Sequence, residues 1–169
     1  MSFSRISSLR ALPITMFTVI IFFSNHALQA KDPPSDVCAM LPADQLSKVL
    51  QQPFGSPMKT IAPAAYRDSP TGTDCTYQGK GLQREVLFRV YVESSPATAK
   101  ETFNKLSPFY GPNTAVTGNW DTAYLDARHA IHVQKGKVRY YLNFDPIGTD
   151  TAKAEKQLKD LATWVAGQL

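Results

Sequence analysis

Few residues of this chain have types and spacings that could do chemistry. The candidates are His129 with His132, the cysteines Cys38 and Cys75, and the carboxylates Asp121 and Asp126. A metal ion needs ligands that converge on one point. Residues three apart on a strand point to opposite faces, and no carboxylate stands at a supporting spacing, so both histidines read as partly exposed strand residues and no metal site is expected. A serine or cysteine hydrolase needs a nucleophile, a base and a group that orients the base. The sequence has no G-x-S-x-G, and Gly55-Ser56-Pro57 lies in a proline-rich stretch with no strand-to-helix elbow. Gly79-Lys80-Gly81 falls between short strands rather than at a helix start, which suits a hairpin turn better than a phosphate loop. No catalytic residue and no cofactor is therefore expected. A carboxylate-pair hydrolase stays open as an alternative, because Asp121 and Asp126 could meet distant acids in three dimensions.

A different chemistry is offered by Arg89 with Tyr91 and by Arg139 with Tyr141. Residues two apart on a strand share a face, so each pair places a guanidinium beside a phenol. If helices cover the face of Val86, Phe88, Val90, Val138, Tyr140 and Leu142, the two Arg/Tyr pairs emerge together on the opposite face. Tyrosine supplies stacking surface and arginine a fork for anions, which are the materials of a glycan, lipid-headgroup or protein interface. The same residues could equally pack beneath a loop or a second layer.

Those pairs need a sheet, and the hydrophobic periods supply one. Leu46, Val49 and Leu50 recur at helical spacing after Pro42, until Pro53 and Gly55 end the helix. The stretch from Pro53 to Asp74 holds four prolines and two glycines in 22 residues and reads as irregular, with a short strand near Met58 to Ala62. From Cys75 the period becomes two, running through Tyr77 and then Glu85 to Glu93. Ser95-Pro96 starts a second helix carrying Ala99, Phe103 and Leu106, which stops before Pro108 and Gly111. Further strands are expected near Thr114 to Thr117, Ala123 to Arg128, Ala130 to Gln134 and Lys137 to Asp145, with Lys135-Gly136 as a compact turn. Ala154, Leu158, Leu161, Ala162, Val165 and Leu169 form the stripe of a closing helix over Thr151 to Leu169. Phe88-Arg89-Val90-Tyr91-Val92 parallels Val138-Arg139-Tyr140-Tyr141-Leu142 at an offset of 50, which suggests an internal αβ duplication. The expected fold is α+β, an antiparallel sheet of about six strands with three helices mainly on one face.

The start of the chain carries a different message. Arg5 and Arg10 precede an apolar run from Leu12 to Phe23, and Leu28-Gln29-Ala30 offers a small residue for cleavage, so residues 1–30 read as a signal peptide. The run is about a dozen residues where a membrane-spanning helix needs roughly 20, and Cys38 lies too far from Ala30 to be a lipidated first residue, so no stable membrane anchor is expected after cleavage. Lys31 to Asp36 then forms an extended lead-in, and residues 37–169 form a single domain. Without Arg5 and Arg10, 16 basic residues face 14 acidic ones, a near-neutral balance that gives no reason to expect a nucleic-acid partner. In an oxidising compartment Cys38 and Cys75 are expected to pair. A reactive thiol or half of a metal site would be the other uses of these cysteines, but neither has a CxxC spacing or a nearby histidine.

Three segments carry a resemblance. Cys38-Ala39-Met40-Leu41 opens a leucine-bearing helix, Cys75-Thr76-Tyr77 opens an aromatic strand, and Val116-Thr117-Gly118-Asn119-Trp120-Asp121-Thr122-Ala123-Tyr124 follows later. Together they resemble a group of small secreted or lipid-anchored bacterial domains of unknown function, best known from actinobacterial lipoproteins. Their pattern is a cysteine-led helix, a second cysteine with an aromatic strand, a V-P-G-L-G-D-x-A-Y segment and a closing helix. Val116, Gly118, Asp121, Ala123 and Tyr124 match that segment, while Asn119 and Trp120 replace its Leu-Gly. The resemblance implies a fold and a compartment and names no activity.

The sequence thus leads to a non-catalytic, periplasmic or secreted binding protein of the cell envelope. It would dock an unknown protein partner or an anionic or amphiphilic ligand on its Arg89, Tyr91, Arg139 and Tyr141 face. The alternatives are an inhibitor or immunity protein acting through the Pro53 to Asp74 loop, and the small carboxylate hydrolase.

Overall fold

A computed structural model of the protein describes residues 31–81, 85–144 and 150–169. The expected signal peptide, part of the turn after Gly79 and the residues from Asp145 to Thr149 lie outside them. Seven strands form one antiparallel sheet: β1 (Met58–Ala62), β2 (Gly72–Gln78), β3 (Glu85–Val92), β4 (Thr114–Ala115), β5 (Thr122–Leu125), β6 (Ile131–Lys135) and β7 (Val138–Phe144). Their order is β1-β2-β3-β7-β6-β5-β4. The helices are α1 (Ala43–Leu50), α2 (Pro96–Leu106) and α3 (Thr151–Ala166). Short 3-10 turns precede α1 (Val37–Met40) and follow α2 (Ser107–Tyr110). The fold is therefore α+β with seven strands rather than six. The strand at Met58 to Ala62 belongs to the sheet as its edge, although the proline-rich stretch around it reads as irregular.

Local chemistry sets the ends of these elements. The Ser95 hydroxyl accepts from the Thr98 N–H at 3.1 Å, which caps α2 with Pro96 in its first turn. The Asp150 carboxylate caps α3 through the Ala152 N–H at 2.9 Å. Between β6 and β7 the register Lys135↔Val138 leaves a two-residue loop whose first member, Gly136, has φ +54°. A side chain there would be strained, so glycine sets this hairpin. In the β4–β5 connection the Trp120 indole donates to the Val116 carbonyl at 2.9 Å and lies over Gly118, where a Cβ would come within 2.3 Å of the ring. The tryptophan that departs from the resembled pattern thus uses the bare face of the pattern's glycine.

The main core lies on one side of the sheet. Tyr77, Val86, Phe88, Val90, Val133, Tyr140 and Leu142 point towards α1 and α3, where Leu46, Leu50, Leu158, Leu161 and Val165 meet them. Fully burying each aliphatic side chain of this kind contributes roughly 1.5 to 3 kcal/mol. Polar links fasten the layers. The Tyr140 hydroxyl donates to the Ala162 carbonyl at 2.7 Å, and the Gln157 amide ties α3 to the Val49 carbonyl of α1 at 3.0 Å. The Cys38–Cys75 disulfide joins the 3-10 turn before α1 to β2, with Cα atoms 5.7 Å apart. It fastens that turn, one step before the helix to which Cys38 seemed to belong. Tyr77, two residues along β2, donates to the carbonyls of Cys38 and Leu41 from the same side.

Helix α2 occupies the other face. Its Phe103 ring lies 5.0 Å from the Tyr124 ring of β5, so the face opposite the main core is partly roofed rather than open. This corrects the picture of an uncovered sheet. Two of the three helices share the main-core face, as expected, and α2 lays Phe103 and Leu106 against the other. The centre of the sheet is β3 against β7, with Arg89↔Tyr141, Val90↔Tyr140 and Tyr91↔Arg139 in register. A local two-fold through the Val90–Tyr140 pair, of the kind every antiparallel ladder has, exchanges the two Arg/Tyr pairs. The helices that follow β3 and β7 lie on opposite faces, so the correspondence stops at the strands.

Candidate functional site

Alternation along four strands builds a cleft on the α2 face. Arg89 and Tyr91 on β3, Arg139 and Tyr141 on β7, His132 on β6 and Tyr124 on β5 project from the sheet floor. Phe103, Leu106 and Tyr110 form the α2 side, and Ala65 and Arg128 belong to flanking loops. The cleft has a volume of about 200 Å³. All four residues expected from face alternation therefore line one cavity.

Their surroundings change what each can do. Arg89 lies opposite Asp74 across the β2–β3 ladder and grips its carboxylate with Nε at 2.6 Å and Nη2 at 2.8 Å. Arg139 is 5% exposed and gives both Nε (3.0 Å) and Nη2 (2.6 Å) to Glu93 Oε1, with its guanidinium 4.7 Å from the Tyr91 ring centre. Tyr91 is 6% exposed and donates to the Pro63 carbonyl at 3.0 Å, which draws the loop after β1 down onto the cleft. Tyr141 is half-buried and accepts from the Asn143 amide at 2.6 Å. Both arginines are thus already paired with carboxylates, and Tyr91 and Arg139 are packed rather than solvent-facing.

The residues that sequence reasoning missed surround His132. Its ring stacks on Tyr124 (4.6 Å between centres, 19° between planes) and lies 4.3 Å from Tyr110 and 4.8 Å from Tyr141. Its Nε2 is 2.9 Å from Asp126 Oδ2. The expectation of two partly exposed strand histidines needs correction on both counts. His132 is buried, and His129 sits in the β5–β6 turn at φ +56° with Nδ1 3.5 Å from Glu155. Asp126 accepts from the N–H groups of Arg128 (2.8 Å) and Ala130 (3.0 Å), so this carboxylate closes a turn and β5 ends at Leu125, short of the expected end at Arg128. Asp121 accepts from the Gln134 amide and the Gly136 N–H at the other end of β5. The two carboxylates flank a four-residue strand, roughly 16 Å apart at the usual rise, well beyond the separation of a carboxylate-pair hydrolase. No group of three or more metal-ligating side chains occurs among the described residues. A signal for the missed residues did exist: period two places Tyr124 and His132 on one face once β5 and β6 pair.

Burial holds the His132 imidazole below its ordinary value, against the raising effects of the Asp126 hydrogen bond and charge. The native state therefore favours the neutral ring, donating Nε2–H to Asp126, while the unfolded chain takes up a proton near pH 6.5. This stabilisation is complete above the unfolded value and is lost as pH falls through the folded one. The unfolding free energy from denaturant titration is expected to decline from pH 7 to pH 5, by at most about 1.4 kcal/mol per pH unit for this group. His132→Gln should flatten that slope, and an unchanged slope would show that another group causes it.

The Tyr110 and Tyr124 hydroxyls have no hydrogen-bond partner among the described residues, though Tyr124 is only 6% exposed. Neither hydroxyl is sealed from solvent, and Tyr110 is only half-buried, so both phenol oxygens open onto the cleft. The chain matches no protein-family model and no curated protein.

Proposed function

We propose that the protein is a non-catalytic binding protein of the cell envelope, periplasmic or secreted, which holds a small amphiphilic ligand between α2 and the sheet. The observation that carries this reading is the tyrosine-lined cleft with two phenol hydroxyls left unpartnered. Such a mixture of apolar wall and a few polar groups is the usual make-up of a small-molecule site. Export is supported by the order of charge, apolar run and small residue before Lys31, and by the Cys38–Cys75 bridge. No described helix is long and apolar enough to cross a membrane. The Lys31 N–H donates to the Leu169 carbonyl at 2.7 Å, which fastens the extended lead-in to a residue just beyond α3. The sequence offset of 50 between β3 and β7 is read as what an internal duplication has left in the strands.

Native mass spectrometry of the protein purified from an exporting cell tests this function. A bound small molecule is expected, and Tyr110→Ala should lower its occupancy by about fivefold or more, the effect of removing an aromatic hot-spot contact. Tyr110 lies at the end of the 3-10 turn after α2 and is not part of the main core, so the fold should survive. A protein that carries nothing, in wild type and variant alike, contradicts the proposal.

One observation favours a second reading, the inhibitor or immunity protein. The edge strand β1 carries Met58 and Ile61, the latter 80% exposed, and its outer edge is free among the described residues to accept another strand. On that reading Ile61→Lys, and not Tyr110→Ala, abolishes the activity.

A further inference from the structure

We infer that Arg128 is the anion-recognition residue of the cleft, selecting a ligand that joins one ring or short apolar chain to a single anionic group. The inference rests on the cleft being a binding site.

Three arginines line the cavity, and charge balance separates them. Arg89 is held bidentately by Asp74, and Arg139 is buried against Glu93. Drawing either towards a ligand would strip a carboxylate of its partner, which is costly where the carboxylate is buried. Arg128 is exposed, lines the cleft, and has no carboxylate within ion-pair distance among the described residues. A guanidinium without an ion-pair partner at the edge of an aromatic cleft favours an anion there, and its fork suits a carboxylate or a phosphate.

The backbone that carries this guanidinium is fixed. Asp126 closes the β5–β6 turn by accepting the Arg128 and Ala130 N–H groups on Oδ1, and its own backbone pairs with Ala130 and His129. Its Oδ2 is bound to His132, the ring on which Tyr110 and Tyr124 pack. One carboxylate therefore ties the backbone under Arg128 to the aromatic floor bearing the two free hydroxyls. The Arg128 backbone and the two phenols are held in a constant relation, while the guanidinium itself stays exposed on its own side chain.

Volume limits the apolar part of the ligand. A cavity of 150 Å³ can hold a benzene molecule, so about 200 Å³ accommodates one ring with a short chain, and a longer chain would have to lie outside the cleft. Phe103, Leu106 and the tyrosine rings supply the wall for that part.

4-Phenylbutyrate and uncharged 4-phenylbutanol share the ring and chain and differ in charge. They can be titrated while the ring protons of Tyr110, Tyr124 and Tyr141 are followed by NMR. The wild-type protein should bind the butyrate about tenfold more tightly than the butanol. Arg128→Ala should bring the two to the same affinity, Arg128→Lys should retain part of the preference, and Arg67→Ala, exposed and away from the cleft lining, should leave it intact. Equal binding of both probes by the wild type, or a preference that survives Arg128→Ala, overturns the role of Arg128 and leaves the cleft as a site. A cleft whose tyrosines respond to neither probe overturns the binding reading itself.

Discussion

Cys75→Ala is expected to lower the free energy of unfolding by about 4 kcal/mol, the chain-entropy value for releasing a closed loop of this length. The bridge spans 37 positions in sequence and connects the turn before α1 to the second strand. Between its ends lie α1, β1 and the loop whose Pro63 carbonyl meets Tyr91, so its loss frees every element on the β1 side of β2. Cys75 is completely buried in the main core, and alanine there also leaves a small void. Equilibrium urea unfolding of the variant and of the reduced wild type should show the same large decrease. A change under 1 kcal/mol would mean that the core holds this half of the sheet unaided.

Arg139→Met should cost about 3 to 5 kcal/mol, because it strands the Glu93 carboxylate, itself 3% exposed, without its charge partner. Adding Glu93→Gln should recover most of that loss, since the pair rather than either charge is what the interior tolerates. The double-mutant cycle separates this role from ligand recognition. A single variant of unchanged stability would show that Arg139 is free to bind, and would restore the four-residue patch as it was read from the sequence.

The contrast between Arg139 and Arg128 explains what could be read before the fold was known. Period two put Arg89, Tyr91, Arg139 and Tyr141 on one face, and the pairing of β3 with β7 brings them together as that period requires. The α3 stripe from Ala154 to Val165 and the Ser95-Pro96 helix start were equally legible, because helix periodicity and capping are local signals. The face taken by α2 was not. It depends on whether Phe103 packs better against Tyr124 or against a layer already filled by α1 and α3, which is a question of long-range packing. The strand at Met58 to Ala62 was legible as a strand but not as a seventh member of the sheet, since its pairing with β2 spans an irregular loop.

Charge partners were harder still. Glu93 lies 46 residues from Arg139, and Asp74 lies 15 from Arg89, and nothing in their spacing pairs them. Arg128 drew no notice, because an arginine in a turn beside a histidine and an aspartate has no local pattern. It stands out only once the other two arginines are seen to be neutralised. Asp126 shows the same limit: its local spacing to Ala130 marks a turn, but its contact with His132 needs β5 and β6 to be aligned.

The claim on which this account depends is that the α2 face, and not the α1/α3 face, takes up a ligand. Labelling the tyrosine rings and adding an amphiphile extract of the cell envelope tests it in one titration. Shifts are expected at Tyr110, Tyr124 and Tyr141, with Tyr77, sealed beneath the opposite layer, unmoved. Shifts confined to Tyr77, or none at any ring up to saturation of the extract, would contradict it.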